Sequence, residues 1–411
     1  MSKINDLIKE LCPNGVRYYK LSEIGNQFSG LSGKSKKDFE NGNCRYITYT
    51  NIYNNPSTDL EAEDYVQVKQ DEKQNEIKFK DILIAGSSEN LEDSGMISVV
   101  TKEPREKIYL NSFCFGFRLN ENFYDKYNPD FLKHIFRDKN FRNNVISCSF
   151  GVTRYNLSKE KFLKIKIPCP PLKIQEEIVR ILDKFGELEA ELEAELEARK
   201  SQYEFWRGKL FTSDNLKQIE DICLNISSGG TPNTSHSEYY GGNIPWLRTQ
   251  EVNWNLITDT EIKITDEAIK HSSAKIIPPN CVIVAMYGAT VGKVAINSIP
   301  LSTNQACCNL EVNPKLADYK YVFYWLSNQY KYIKSLGQGS QTNINAQTVR
   351  KLKITLPSID EQKRMVDILD KFDSLVNDIK VGLPAEIELR RKQYEYYRNK
   401  LLSFEELNVS E

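Results

Sequence analysis

Two kinds of hydrophobic spacing alternate along this chain. Short runs of β-branched and aromatic residues, bounded by Gly, Asn and Pro, predict strands at Cys44–Thr50 (CRYITYT), Asp81–Gly86 (DILIAG), Met96–Val100 (MISVV), Cys281–Gly288 (CVIVAMYG) and Lys293–Ile296 (KVAI). Asp130–Val145 and Tyr319–Leu336 space their apolar residues as one amphipathic helix each. Elsewhere steps of three and four persist for many turns. One such stripe runs through Ile178, Leu182, Phe185, Leu188, Leu192, Leu196, Tyr203, Trp206 and Leu210. A second runs through Val366, Leu369, Phe372, Val376, Ile379, Leu383, Ile387, Tyr394, Tyr397 and Leu401. Stripes this narrow are those of a coiled-coil seam. A helix over Leu172–Phe211 would be about 60 Å long at 1.5 Å per residue. Pro171 and Pro357 suit the approach to a helix N-terminus, and Gly382-Leu383-Pro384 predicts a break in the second helix.

The pattern occurs twice. ILDKF stands at Ile181–Phe185 and again at Ile368–Phe372, 187 positions on, and Ile165–Gln175 (IKIPCPPLKIQ) aligns with Leu352–Gln362 (LKITLPSIDEQ) at the same offset. Downstream, Gln202–Leu210 (QYEFWRGKL) aligns with Gln393–Leu401 (QYEYYRNKL) at an offset of 191, so the second copy is longer by about one helical turn and its stripe stays nearly in phase. A period this long is the duplication of a whole domain with its helix, not a solenoid. Four blocks follow: mixed, strand-rich stretches at 1–155 and 213–342, and helical ones at 156–212 and 343–411.

A lone helix bearing such a stripe would leave Leu and aromatic side chains in water. The two helices can cover each other, and an antiparallel pair about a pseudo-twofold axis is the economical arrangement. The alternative packs each helix only on its own mixed block. Under either, the glutamates from Glu187 to Glu197 form a solvated ridge that would repel phosphates.

Composition narrows the chemistry. A formal net charge of −1 means that any polyanion must be met by local basic patches. Nine cysteines without a C-x-x-C pair and only three histidines (His134, His236, His271) make a structural zinc improbable and reduced thiols the better reading. No basic-then-apolar signal opens the chain, and no run approaches about 18 apolar residues, so a soluble cytoplasmic protein is expected. Gly288–Lys293 (GATVGK) and Gly30–Ser35 (GLSGKS) lack the glycine spacing of a phosphate-binding loop. Nothing resembles a nucleophile elbow, a His-Glu-x-x-His helix or the Asp/Asn-Pro-Pro-aromatic motif of amino-methylating enzymes, so the chain by itself is expected to catalyse nothing.

Polar, Gly-rich loops sit at equivalent places in both mixed blocks. Ser29–Tyr46 and Ser227–Asn243 lead into the first strands, and Ser149–Asn156 and Gly337–Asn345 come late. Their side chains are of the types that contact phosphates and base edges. Lys34, Lys36, Lys37, Arg45, Tyr49, Asn51 and Arg154 are the candidates in the first block. Arg248, Gln250, Lys293, Gln338, Gln341 and Asn343 are those of the second. Similar scaffolds carrying different loops suggest two readers of different targets.

Four stretches carry a family resemblance. They are ILDKF…ELEAELEAELEARKSQYEFWR (181–207), GLPAEIELRRKQYEYYRNKLL (382–402), LCPNGVRYYKLSEIG (11–25), and the Asn-bearing loop before each of Ile165–Gln175 and Leu352–Gln362. Over essentially its full length the chain resembles the specificity subunit of type I restriction-modification systems. The resemblance implies an α+β fold with two sheet-rich α/β target recognition domains separated by two long antiparallel coiled-coil helices. It implies a non-catalytic subunit that reads double-stranded DNA, each recognition domain taking one half of a bipartite asymmetric target. It further implies assembly with two modification subunits, which bind S-adenosylmethionine and methylate adenine, and two restriction subunits, which use ATP and Mg²⁺. No cofactor is expected on this chain. The rival expectation is a coiled-coil scaffold for protein partners without DNA specificity.

Overall fold

A computed structural model describes residues 2–337, 343–378 and 380–407. The chain forms two compact units, one of residues up to Leu192 together with those from Ile387 onward, the other of Glu193–Glu386.

In the first unit a four-stranded antiparallel sheet has the order Gly25–Ser29, Cys114–Leu119, Ile82–Ala85, Ile97–Val99. A second sheet sets Cys44–Ile47 between Tyr65–Val66 and, in parallel, Ile108–Leu110. The unbroken apolar run Ile82–Ala85 is buried throughout because a core lies against each of its faces. Ile82 and Ile84 join Phe131, Phe136 and Phe162 on one side, while Leu83 and Ala85 join Ile47, Ile52 and Leu110 on the other.

The second unit repeats this plan. Its main sheet runs Cys223–Ser228, Cys307–Val312, Val282–Ala285, Val294–Asn297, Asn255–Ile257. A companion sheet runs Ile262–Ile264, Tyr240–Leu247, Leu301–Thr303, Ile276–Ile277. Val282 and Val284 face one core with Tyr321 and Trp325, and Ile283 and Ala285 face another with Leu247 and Leu301.

The long helix spans Leu172–Leu210 and passes from the first unit into the second after Leu192. Within the first unit, Ile174, Ile178 and Leu182 share a core with Leu401, Leu402, Tyr394 and Tyr397. Phe185 lies 6.3 Å from the Tyr394 ring and stacks on Tyr397 at 5.4 Å, and Glu189 accepts from Arg391 at 2.6 Å. Partners descend in number along the second helix as they rise along the first, so the two segments are antiparallel. Within the second unit, Tyr203 stacks on Phe372 at 6.0 Å, and Phe211 shares a core with Met365 and Val366. This too is an antiparallel pairing, and the duplication maps Phe185–Tyr394 onto Phe372–Tyr203. Within each unit the helix segments pack on each other as well as on the globular part, so the alternative in which each helix packs only on its own mixed block does not hold.

Two further contacts recur at the repeat offset. Fully buried Gln175 accepts from the Asn128 N–H at 2.8 Å and donates to the Lys126 and Pro170 carbonyls at 2.7 Å each. Gln362, also fully buried, accepts from the Asp318 N–H at 2.9 Å and donates to the Pro357 carbonyl at 2.8 Å. Lys133 pairs with Asp183 at 3.0 Å, and Lys320 pairs with Asp370 at 2.6 Å. Glutamine and ion pair together fasten the start of each helix to the globular part beside it.

Local details depart from the hydrophobic pattern where polar side chains cap helices. The predicted strand Cys44–Thr50 stops at Ile47, because Thr48 accepts from the Asn51 N–H and starts the helix Tyr49–Asn54. The predicted helix Asp130–Val145 is two, Pro129–Arg137 and Lys139–Ser147, divided at extended Asp138, whose carboxylate caps the second. Its counterpart is likewise two, Tyr319–Asn328 and Tyr330–Ser335. The predicted break is present: one helix ends at Asn377 and the next, Leu383–Leu402, begins directly after Gly382 with Pro384 in its first turn. All nine cysteines are free.

Candidate nucleic-acid interface

In each unit three segments distant in sequence come together at the end of the central strand. In the first they are the helix Tyr49–Asn54, the turn after Ile82–Ala85, and the hairpin Ser149–Phe150/Tyr155–Leu157, which adds to Ser87–Ser88 as a small antiparallel sheet. The Tyr49 hydroxyl lies 3.5 Å from that of Ser88, and Arg154 Nε donates to Ser87 at 3.2 Å. In the second unit the turn Thr249–Glu251, the turn Gly288–Thr290 and the loop at Asn343 converge in the same way. Thr290 donates to the Thr249 carbonyl at 2.8 Å, and Asn343 Oδ1 accepts from the Gly288 N–H at 3.4 Å.

Glycines allow the adjoining loops to close in. A Cβ on Gly30 would collide with the Asn111 carbonyl, and one on Gly229 with the Thr303 carbonyl. Asn111 and Asn304 occupy matching positions. Their N–H groups donate to the carbonyls that end the neighbouring strands, Ile47 at 3.0 Å and Leu247 at 2.9 Å.

The candidate residues divide by what already holds them. Tyr49 and Arg154 meet at the first cluster, and Gln250 and Asn343 belong to the second. Lys293 stands at the far end of the Gly288 turn, bonded to Asn253 at 2.7 Å with its ammonium 4.6 Å above the Trp254 ring. Lys36 and Lys37 are exposed on the turn Lys36–Phe39. Lys34 is inward: its ammonium donates to Glu72 and to the Gln67 carbonyl at 2.6 Å each, and the first of these bonds, with those from Gln74 and the Lys69 N–H, holds the Glu72 carboxyl down at about 2. Arg45 is shared between Glu61 at 3.3 Å and Glu106 at 3.1 Å. Asn51 is buried, its amide spent on the Asp59 backbone at 2.8 and 3.2 Å. Arg248 pairs with Glu261 at 2.5 Å and lies 3.8 Å from Glu251. With its amide oxygen turned toward that guanidinium, Gln250 accepts from it at 3.0 and 2.9 Å. Gln338 and Gln341 lie outside the described residues.

Sequence reasoning passed over the exposed apolar residues of these surfaces. Phe113 (65% exposed), Phe150 (59%) and Val152 (87%) stand at the first cluster, and Tyr287 (41%) at the second. For Phe113, Phe150 and Val152 the signal was a large apolar residue inside a Ser/Asn/Gly loop, whereas Tyr287 lay hidden at the end of the predicted strand Cys281–Gly288. Among the described residues, no group of three or more His, Cys, Asp or Glu is placed to hold a metal ion. No helix among them is long and apolar enough to cross a membrane.

The family model described as "Type I restriction modification DNA specificity domain" matches residues 13–198 and again 215–389. The chain belongs to this family. Its two matched stretches follow the internal duplication, so this member of the type I specificity family carries the domain twice. It is 40% identical over 257 residues to the specificity subunit of the type I restriction enzyme EcoR124I/EcoR124II of Escherichia coli, covering 59% of this chain and 63% of that relative. It is 32% identical over 301 residues to a putative type I specificity subunit of Haemophilus influenzae, covering 68% and 73%. The fold is that of a chain solved in work on assembly and conformational transition of the type I R-M system (TM-score 0.65, 16% identity, 95% and 98% covered). It also matches the HsdS subunit of Thermoanaerobacter tengcongensis (TM-score 0.56, 16% identity, 95% and 96% covered).

Proposed function

We propose that this chain is the non-catalytic DNA specificity subunit of a type I restriction-modification complex. Each recognition domain, 1–155 and 213–342, reads one half of a bipartite asymmetric target in double-stranded DNA. The helical spacers, 156–212 and 343–411, fix the gap between the halves and dock two modification subunits, with two restriction subunits joining them in the cytoplasm. S-adenosylmethionine, ATP and Mg²⁺ then belong to those partners, and this chain contributes sequence choice alone.

The observation that carries the reading is duplication of the scaffold without duplication of the loops. Four core strands recur in the same order and the buried glutamines and Lys–Asp pairs at equivalent positions, whereas the matching clusters present Tyr49, Ser87 and Arg154 in one unit and Thr249, Gly288 and Asn343 in the other. Selection for a common support with divergent tips is what two readers of unlike half-sites require. Long-read methylation mapping of a host with and without this gene tests it. The account expects one bipartite motif with a fixed gap, methylated only when the chain is present. An unchanged methylome alongside expressed partner subunits would refute it.

A further inference from the structure

Of the three arginines among the candidate DNA contacts, two are neutralised by carboxylates: Arg45 by Glu61 and Glu106, Arg248 by Glu261 with Glu251 nearby. Arg154 is different. Its Nε is tied to Ser87 Oγ at 3.2 Å, its guanidinium carbon lies 5.8 Å from the centre of the Phe113 ring, and no carboxylate among the described residues pairs with it. Among the described residues nothing bonds its two terminal nitrogens, and the side chain is exposed.

The backbone beneath it is fixed. Arg154 precedes Tyr155, which pairs with Ser88 across the small sheet, and the turn at Gly151 (φ 125°) is so tight that a Cβ there would strike the Arg154 carbonyl. The Phe113 N–H is in turn held by Asn111 at 2.9 Å. An arginine anchored through Nε and laid against an aromatic ring has lost much of its rotational freedom before any ligand arrives. What it presents is a planar two-nitrogen fork, the shape that fits the O6 and N7 acceptors of guanine in the major groove. The equivalent loop of the second unit carries at Asn343 an amide in place of this guanidinium.

We infer that Arg154 is the guanine-reading residue of the half-site recognised by the first domain, with Ser87 and Phe113 as positioning residues. This rests on the proposed function and adds a named base to it. A phosphate could accept the same fork, and the two sources differ in what mutation does.

The test uses the full chain assembled with its modification subunits, motifs mapped by methylation, and binding to duplexes of the mapped target. With Arg154→Ala, discrimination falls about 5- to 150-fold at a single guanine of the first half-site, the range for loss of one bidentate base contact. Arg154→Lys gives a similar loss, because the charge remains and the fork does not. Ser87→Ala gives a smaller loss at the same base pair. Replacing that guanine with 7-deazaguanine weakens the wild-type complex and leaves the Arg154→Ala complex no weaker. A motif unchanged in Arg154→Lys, with Arg154→Ala weakened equally on all sequences and its salt slope reduced by about one, would mean a phosphate contact and overturn the assignment. A first half-site without guanine would overturn it too, leaving the parent reading intact. Absence of any bipartite motif in wild type would overturn both.

Discussion

Replacing Gln175 with Met tests whether the buried glutamine fastens the first helix to its recognition domain. The side chain is 0% exposed, and methionine is close to it in size, so the change removes hydrogen bonds without opening a large void. It leaves the Asn128 N–H and the Lys126 and Pro170 carbonyls without the partner that held them at 2.7–2.8 Å. Each orphaned buried group costs about 1–3 kcal/mol. Counting the N–H and the carbonyl of buried Pro170, the first unit should lose roughly 2–6 kcal/mol. For a unit of this size, where 1 kcal/mol moves Tm by about 2–4 °C, the melting point should fall by about 4–24 °C. Hydrogen exchange locates the damage: protection should drop over 126–131 and 172–182 and hold over 316–321 and 359–369. Gln362→Met should give the mirror result. An unchanged Tm with unchanged exchange, or equal loss at both places from either substitution, would refute the reasoning.

Two other outcomes follow from the same geometry. Deleting one helical turn, Ala190–Glu193, shortens the helix by about 6 Å, close to two base-pair rises. The methylated motif should then keep both half-sites and lose one to two base pairs of gap, whereas altered half-sites with the original gap would count against a spacing role. The second outcome concerns His134, which contacts the Asp183 carboxylate at 2.8 Å and the Tyr394 hydroxyl at 3.2 Å. Burial pushes its imidazole below the ordinary 6.5, outweighing the pull of Asp183. The unfolded chain therefore takes up the proton first as pH falls, so this contribution is whole above about 6.5 and is lost as pH drops through the lower folded value. Unit stability measured in urea from pH 7.5 to 5 should decline, with a shallower slope in His134→Gln; identical slopes would contradict the assignment.

Much of the architecture was legible because it is written in burial. ILIA and VIVA are apolar at every position, and the structure sets each between two cores. The stripes from Ile178 and Val366 include residues that meet the partner helix, Phe185 and Phe372 among them, whereas Trp206 is 41% exposed and Ile379 lies outside the described residues. Breaks within helices were harder to read, since Asp138 and Thr48 act through hydrogen bonds to N–H groups two or three residues on, which hydrophobic spacing does not record. The reading surface was least legible. Lys34 and Arg45 look free in sequence, yet carboxylates remote in the chain, Glu72, Glu61 and Glu106, occupy them. Arg154 differs for the converse reason: its loop returns beside Ser87 and Phe113, and no carboxylate among the described residues pairs with it.

The most direct test of two separable readers is a hybrid. Residues 213–342 would be replaced by the matching stretch of a relative with a different target, and the hybrid's methylated motif mapped beside that of the parent. The account predicts a new second half-site, with the first half-site and the gap retained. A change in both half-sites, or in neither while the complex still methylates DNA, would contradict it.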